Sequence, residues 1–182
     1  MALGKLAVDY LANASREFRK TKQLADRAIA QVSEQALFEM ISSESNSIAI
    51  IMKHLAGNMR SRWTDFLTSD GEKPDRHRDA EFIIEAKDTK ECILGYWEAG
   101  WQCLFSALDS LKPEDVSKTV FIRQEPHLVT EAINRQLTHY AYHVGQIVFL
   151  ARYFAGEKWQ TLSIPRGKSR EFNQSMQKGR RT

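Results

Sequence analysis

His139 and His143 stand four residues apart in Asn134-Arg-Gln-Leu-Thr-His139-Tyr-Ala-Tyr-His143-Val-Gly-Gln146. On a helix this spacing sets both imidazoles on one face, one turn apart, where they can grip a single metal ion. Gln136 and Gln146 extend the pair into a polar stripe on an otherwise apolar helix, and polar groups on a buried stripe need partners. A third imidazole, His54, lies beside the apolar stripe of an earlier helix and can point inward. Three neutral imidazoles leave one position of a tetrahedral ion open, the arrangement of a catalytic zinc site. His127 precedes His139 by twelve residues, about 18 Å along a straight helix, too far to share the ion. His77 lies in a loop that could reach in. The bland alternatives are that His139 and His143 are simply two helix-surface histidines and that His54 is a boundary histidine satisfied by a neighbouring backbone carbonyl.

Other metal chemistries fail at single positions. A di-iron centre of the ferritin type wants Glu-x-x-His, but residue 136 is Gln. The metalloprotease motif wants Glu directly after the first histidine, and Tyr140 stands there. A mononuclear site of His54, His139 and His143 is what remains. Three histidines suit zinc, nickel, copper and iron alike.

Four long helical segments must position these residues. The first runs over 3–31, with Leu6, Tyr10, Phe18, Leu24 and Ala28 on its apolar stripe. A turn around 32–38 lets Leu37 and Phe38 cap the core. The second helix spans 44–67, with Ser43 or Ser45 as N-cap and Ile48, Met52, Leu55, Met59 and Trp63 facing inward. The third spans 89–111 and ends at Pro113; Trp97 and Trp101 read as core. The fourth runs from His127 to Ala155 and stops at Gly156. Residues 117–122 are β-prone, but their pattern does not assure a hairpin. Four long helices without a confident strand predict an all-α four-helix bundle, which builds sites from side chains on facing helices.

Between the second and third helices, Asp70-Gly71 and Pro74 mark a charged loop. It reads either as a solvated connector or as a lid. As a lid, Arg76 and Arg78 would hold an anionic substrate, Asp79 or Glu81 would offer an acid or base, and Phe82, Ile83 and Ile84 would dock it. The end of the chain is expected to wrap the body through Trp159, Leu162, Ile164 and Phe172, and 173–182 to be a basic, unstructured tail.

The chain has 182 residues, 42% hydrophobic and 27% charged, which suits one soluble domain with a substantial core, expected over 1–172. Residues 157–182 carry seven Lys/Arg and two Glu, a balance of +5, leaving −2 on the rest of the net +3. The basicity belongs to the end of the chain, which argues against a nucleic-acid partner, whose site needs a basic face on the folded body. No apolar run is long enough for a bilayer, so no membrane partner is expected, and the absence of a signal-like start points to the cytoplasm. Cys92 and Cys103 on one helix stand about 16 Å apart, beyond the reach of a disulfide, and read as buried free thiols.

The segments Asn46-Ser-Ile-Ala-Ile-Ile-Met-Lys-His54-Leu-Ala-Gly-Asn58 and His139-Tyr-Ala-Tyr-His143-Val-Gly-Gln146 resemble the DinB-like (DinB/YfiT) superfamily of four-helix-bundle metalloenzymes. The likeness runs over 5–172 and is closest to an uncharacterised branch, in which the loop Gly71 to Phe82 is also familiar. The resemblance implies a metal triad at His54, His139 and His143 holding one divalent ion, zinc, nickel or iron. It further implies a homodimer and a small-molecule substrate. Activities in the superfamily include transfer of low-molecular-weight thiols such as bacillithiol or mycothiol, thiol-dependent isomerisation, and hydrolysis. A thiol-dependent S-transferase is the expectation; a metal-dependent hydrolase and a non-catalytic metal-binding bundle are the alternatives. Arg76, Arg78 and Asp79 are the candidate catalytic residues.

Overall fold

Ser33, Ser47 and Thr89 each begin a helix by accepting a backbone N–H three residues on, from Ala36, Ile50 and Cys92. The computed structural model describes residues 2–179 and is mostly helical. In chain order the α-helices and strands are α1 (Ala2–Ile29), α2 (Glu34–Phe38), α3 (Ile48–Trp63), α4 (Lys90–Ser110), β1 (Thr119–Ile122), β2 (Glu125–Leu128), α5 (Val129–Ala155) and α6 (Ser169–Gly179), with single 3-10 turns at Arg78–Phe82, Pro113–Ser117 and Gly156–Lys158 in the connections.

Three boundaries differ from the sequence reading. α3 is capped by Ser47, not by Ser43 or Ser45, because the Ser45 hydroxyl is spent closing a turn: it donates to Ser42 O at 2.8 Å and accepts from Ser42 N at 3.0 Å. α3 also ends earlier, at Trp63, where Asp65 takes a positive φ of 48°. α5 starts at Val129, not His127, because residues 125–128 pair antiparallel with 119–122. The hairpin turns through Arg123 and Gln124, both at positive φ (56° and 65°). That is the two-residue turn whose twist matches the strands, here made without glycine. Asp70 stabilises it from outside, its carboxylate accepting from Arg123 N at 2.8 Å and Gln124 N at 2.7 Å. His127 therefore lies on β2, not on the helix of His139.

The long helices pack with fixed relative directions. Tyr10 donates to Thr130 O at 3.0 Å and Phe18 packs on Tyr140, so α1 and α5 run the same way. α4 runs against α1, since Lys22 reaches Glu98 and Arg19 lies over Phe105. α3 runs against α5, with His54 facing His143 and Asn58 facing Tyr140. Phe18, Met52, Leu55, Met59, Trp63, Trp97, Trp101, Tyr140 and Ile147 form the shared centre, all buried. The inward stripes of α3, α4 and α5 thus meet in one core with Phe18 and Ala28 of α1, whereas Leu6 and Leu24, expected on the α1 stripe, are exposed. Trp97 is anchored by Nε1 donating to Asp26 Oδ1 at 2.8 Å. Gly100 is required by close approach: a Cβ there would sit 2.9 Å from Ala56 Cα, so only glycine lets α4 touch the α3 backbone.

Leu37 is buried and Phe38 packs on the core, as expected of the turn. Trp159 and Leu162 also pack on the core, but Ile164 and Phe172 are exposed, so the wrap ends near Leu162. Residues 173–179, expected to be unstructured, lie in α6, where Phe172 and Met176 form an amphipathic pair one turn apart; 180–182 lie outside the described residues. Cys92 and Cys103 are free but half-buried, not buried. Among the described residues, no helix is long and apolar enough to cross a membrane.

Candidate metal centre

α3 and α5 cross so that His54 meets the His139/His143 pair. One ring nitrogen from each of the three lies within 4.8 Å of the others. Ring centroids are 5.5 Å apart for His54 and His139, 5.0 Å for His54 and His143, and 4.8 Å for the α5 pair. Nitrogens bound to one tetrahedral zinc are roughly 3.4 Å apart, so small side-chain rotations close the set. His54 is buried and the other two are half-buried, which leaves one side of the cluster open.

Two of the rings are oriented from behind. His54 Nδ1 is 2.8 Å from Glu81 Oε2, and His143 Nδ1 is 2.8 Å from Gln146 Oε1. Each contact puts a proton on Nδ1 and leaves Nε2 as the lone-pair donor, the outer-shell arrangement typical of ligating histidines. Gln146 is itself steadied by donating from Nε2 to Tyr142 Oη at 3.3 Å. Burial, reinforced by His143, His54 and the nearby arginines, pushes His139 down to about 3. Burial also lowers His143, against the Gln146 hydrogen bond. Both are neutral at physiological pH, the form that binds a metal. The donor set therefore fits one borderline divalent ion.

Behind His54 stands a buried ionic ladder. Arg76 forks onto Glu81, Nε to Oε1 at 2.8 Å and Nη2 to Oε2 at 2.9 Å. Its remaining nitrogen faces Glu72 at 3.4 Å, and Glu72 also receives Arg62 at 2.9 Å and Arg123 at 3.0 Å. Burial would raise the Glu81 carboxyl, but the hydrogen bonds from His54 and Arg76 and the Arg76 charge hold it below the usual carboxylate range. Gly57 makes room for this carboxylate. A Cβ at 57 would come within 2.7 Å of Glu81 Cδ.

The loop candidates separate by burial. Arg76 is only 5% exposed and fully committed to carboxylates of its own chain, so it does not offer itself to a substrate. Arg78 is half exposed, 5.0 Å above the Phe82 ring, which in turn lies 4.8 Å from the His54 ring. It stands one aromatic ring away from His54, across Phe82. Asp79 is fully exposed and holds no position at the site. His77 is exposed in the loop and outside the cluster. Ile84 docks the loop on the core and Phe82 docks it on the His54 ring, whereas Ile83 is 59% exposed. Tyr140, next to His139, points the other way: fully buried, it donates to Asn58 Oδ1 and accepts from Trp63 Nε1, both at 3.0 Å. Gln136 is buried beside Arg62 and Trp63, away from the cluster.

Glu81 as the partner of His54 was not legible in sequence, where it stood only as a candidate acid or base. No periodicity links a loop residue to a helix residue 27 positions away. The available signal was Gly57, an interior helical glycine one turn from His54, which implies close approach by another group. No curated protein matches this chain. Residues 5–168 match the model of a family described as protein of unknown function (DUF1572), and the chain belongs to that family.

Proposed function

We propose that His54, His139 and His143 hold one divalent metal ion, and that the protein is a DinB-like four-helix-bundle enzyme transferring a low-molecular-weight thiol to a small electrophile. The observation that carries this reading is the three-imidazole cluster with its Nδ1 atoms engaged from behind by Glu81 and Gln146. Bound there, a divalent ion supplies a Lewis acid that favours thiolate over thiol at neutral pH.

The chain's own residues favour a thiol nucleophile over activated water. Hydrolysis calls for a free acid or base beside the histidines. Glu81 is bound by Arg76 and His54, Tyr140 is turned into the core, and Asp79 stands in solvent. A thiol held by the ion would give its proton to solvent and attack as the thiolate, so it calls for no base of the chain; hydrolysis in addition calls for an acid to protonate the leaving group. Arg78, stacked on Phe82 beside His54, is positioned to receive a carboxylate of the thiol or its acceptor. The homodimer implied by the superfamily belongs to the same reading, supported by the exposed aromatic stripe Tyr142, Phe149 and Tyr153 on α5.

Metal analysis of untagged protein tests the centre: about one equivalent of a divalent ion is expected, lost on His139→Ala or His143→Ala. Conjugation of bacillithiol, mycothiol or glutathione to chlorodinitrobenzene tests the reaction. Retained metal without turnover of any thiol would leave a non-catalytic metal protein; absence of metal would sink the reading altogether. Sedimentation of the wild type and of Tyr153→Glu tests the dimer.

A further inference from the structure

A cavity of about 740 Å³ opens between α3, α4 and the connection from Lys73 to Asp88. Its size falls within the range of small-ligand sites, about 300–1,000 Å³. Glu81 and Gly57 line it, but none of the three histidines does, so it is separate from the metal centre. Ala56 and Gly57 on α3 and Ala99 and Gly100 on α4 line its floor and walls with small residues, Gly100 where the two helices touch and Gly57 under the Glu81 carboxylate.

The charges around it divide into two sets. One set is used internally. Lys53 binds Asp88 at 2.6 Å, Arg76 binds Glu81 and Lys87 binds Glu85 at 2.7 Å. The other set is free. Among the described residues, Arg60, Asp65 and Asp75 line the cavity without an ion-pair partner. The Lys73 ammonium, half-buried, donates only to Asp70 O at 2.6 Å and has two donors left. Charges of both signs without a hydrogen-bonded ionic partner thus line one space, Arg60, Asp65 and Asp75 exposed and Lys73 half-buried within reach of the Asp65 charge. A simple anion placed there would meet Asp65 and Asp75, and a simple cation would meet Arg60 and Lys73. A molecule carrying both signs satisfies all four.

We infer that this cavity binds a small zwitterion of dipeptide size, its carboxylate held by Arg60 and Lys73 and its ammonium by Asp65 and Asp75. The site goes beyond the proposed thiol transfer and does not depend on the metal. Arg60 and Ala99 are exposed, so substitutions there leave the core intact.

Calorimetry on the full chain as purified, repeated on His139→Ala to separate the cavity from the metal centre, tests it with glycylglycine, alanylglutamate and lysylalanine, and with succinate and putrescine as single-sign probes. At least one dipeptide is expected to saturate the protein with a dissociation constant below about 1 mM. Arg60→Glu should weaken that binding about tenfold and Ala99→Trp, which fills the mouth, should abolish it, with circular dichroism unchanged. Failure of all three dipeptides to saturate overturns the inference. So does succinate or putrescine binding as tightly as the dipeptides, or binding that survives both substitutions.

Discussion

Glu81 and Gly57 decide how firmly His54 is held. Glu81→Gln keeps the shape of the side chain but replaces a charge-assisted acceptor with a neutral one. Outer-shell changes of this kind cost roughly 10–100-fold in metal affinity. A chelator competition on Glu81→Gln should show that loss, with the helical circular dichroism retained; wild-type affinity would mean that Glu81 does not orient His54. Gly57→Ala reaches the same point without changing any charge. The added methyl would collide with the Glu81 carboxylate, while alanine in a helix gains up to about 1 kcal/mol over glycine. The expected result is weaker metal binding without a matching loss of thermal stability. A variant that binds metal as tightly as wild type would show that the carboxylate can move without consequence. The histidines themselves were legible because helical spacing links His139 to His143, and because His54 sits beside an apolar stripe. Their supports were not, because hydrogen bonds between a loop and a helix leave no period in the sequence.

At the scale of elements, the hairpin and the loop 70–82 form one unit. Asp70 ties them together by accepting from Glu72 N at 2.7 Å as well as from Arg123 and Gln124. Those backbone donors, set against burial, hold its carboxyl below the ordinary range. Asp70→Ala removes the acceptor for two residues at positive φ that are not glycine. It should destabilise the protein by about 1–3 kcal/mol in urea unfolding, and Gln124→Gly in that background should recover part of the loss. No recovery would show that turn strain is not what Asp70 relieves. The hairpin explains one boundary that differs from the sequence reading, and the turn before α3 explains another. The β-prone run 117–122 found a partner in 125–128, so a stretch expected to start the last helix became a strand. Ser45 looks as good a cap as Ser47, and the difference lies in a turn closed by Ser42. Both outcomes depend on which neighbour a short segment finds, and propensity alone does not decide that.

For the whole molecule, acid is the expected weakness. Asp70, Glu72 and Asp88 are each pushed up by burial but held lower still by hydrogen bonds and by Arg62 or Lys53. A folded-state pKa below the unfolded value means that the unfolded chain binds more protons in acid. The stabilisation is complete above the ordinary carboxyl pKa of about 4 and is lost as pH falls through the lower folded values. Thermal midpoints should therefore hold between pH 7 and 5 and drop steeply towards pH 3. A flat profile would show that these groups add nothing to stability. Asp88, buried against Lys53, is the residue to test, and Asp88→Asn should shrink the acid slope.

What the amino-acid sequence determined by itself was the helical class, the four long segments, most of the core and the three imidazoles. Each follows from a repeat of 3.6 residues that survives in one dimension. Only the packed chain shows that the three rings converge, that Glu81 backs His54, and that Arg76 is spent on carboxylates of its own chain. It also opened the cavity beside Gly57 and Gly100. These depend on distances between segments far apart in the chain, set by how closely α3, α4 and α5 pack, and no local pattern encodes a distance between helices.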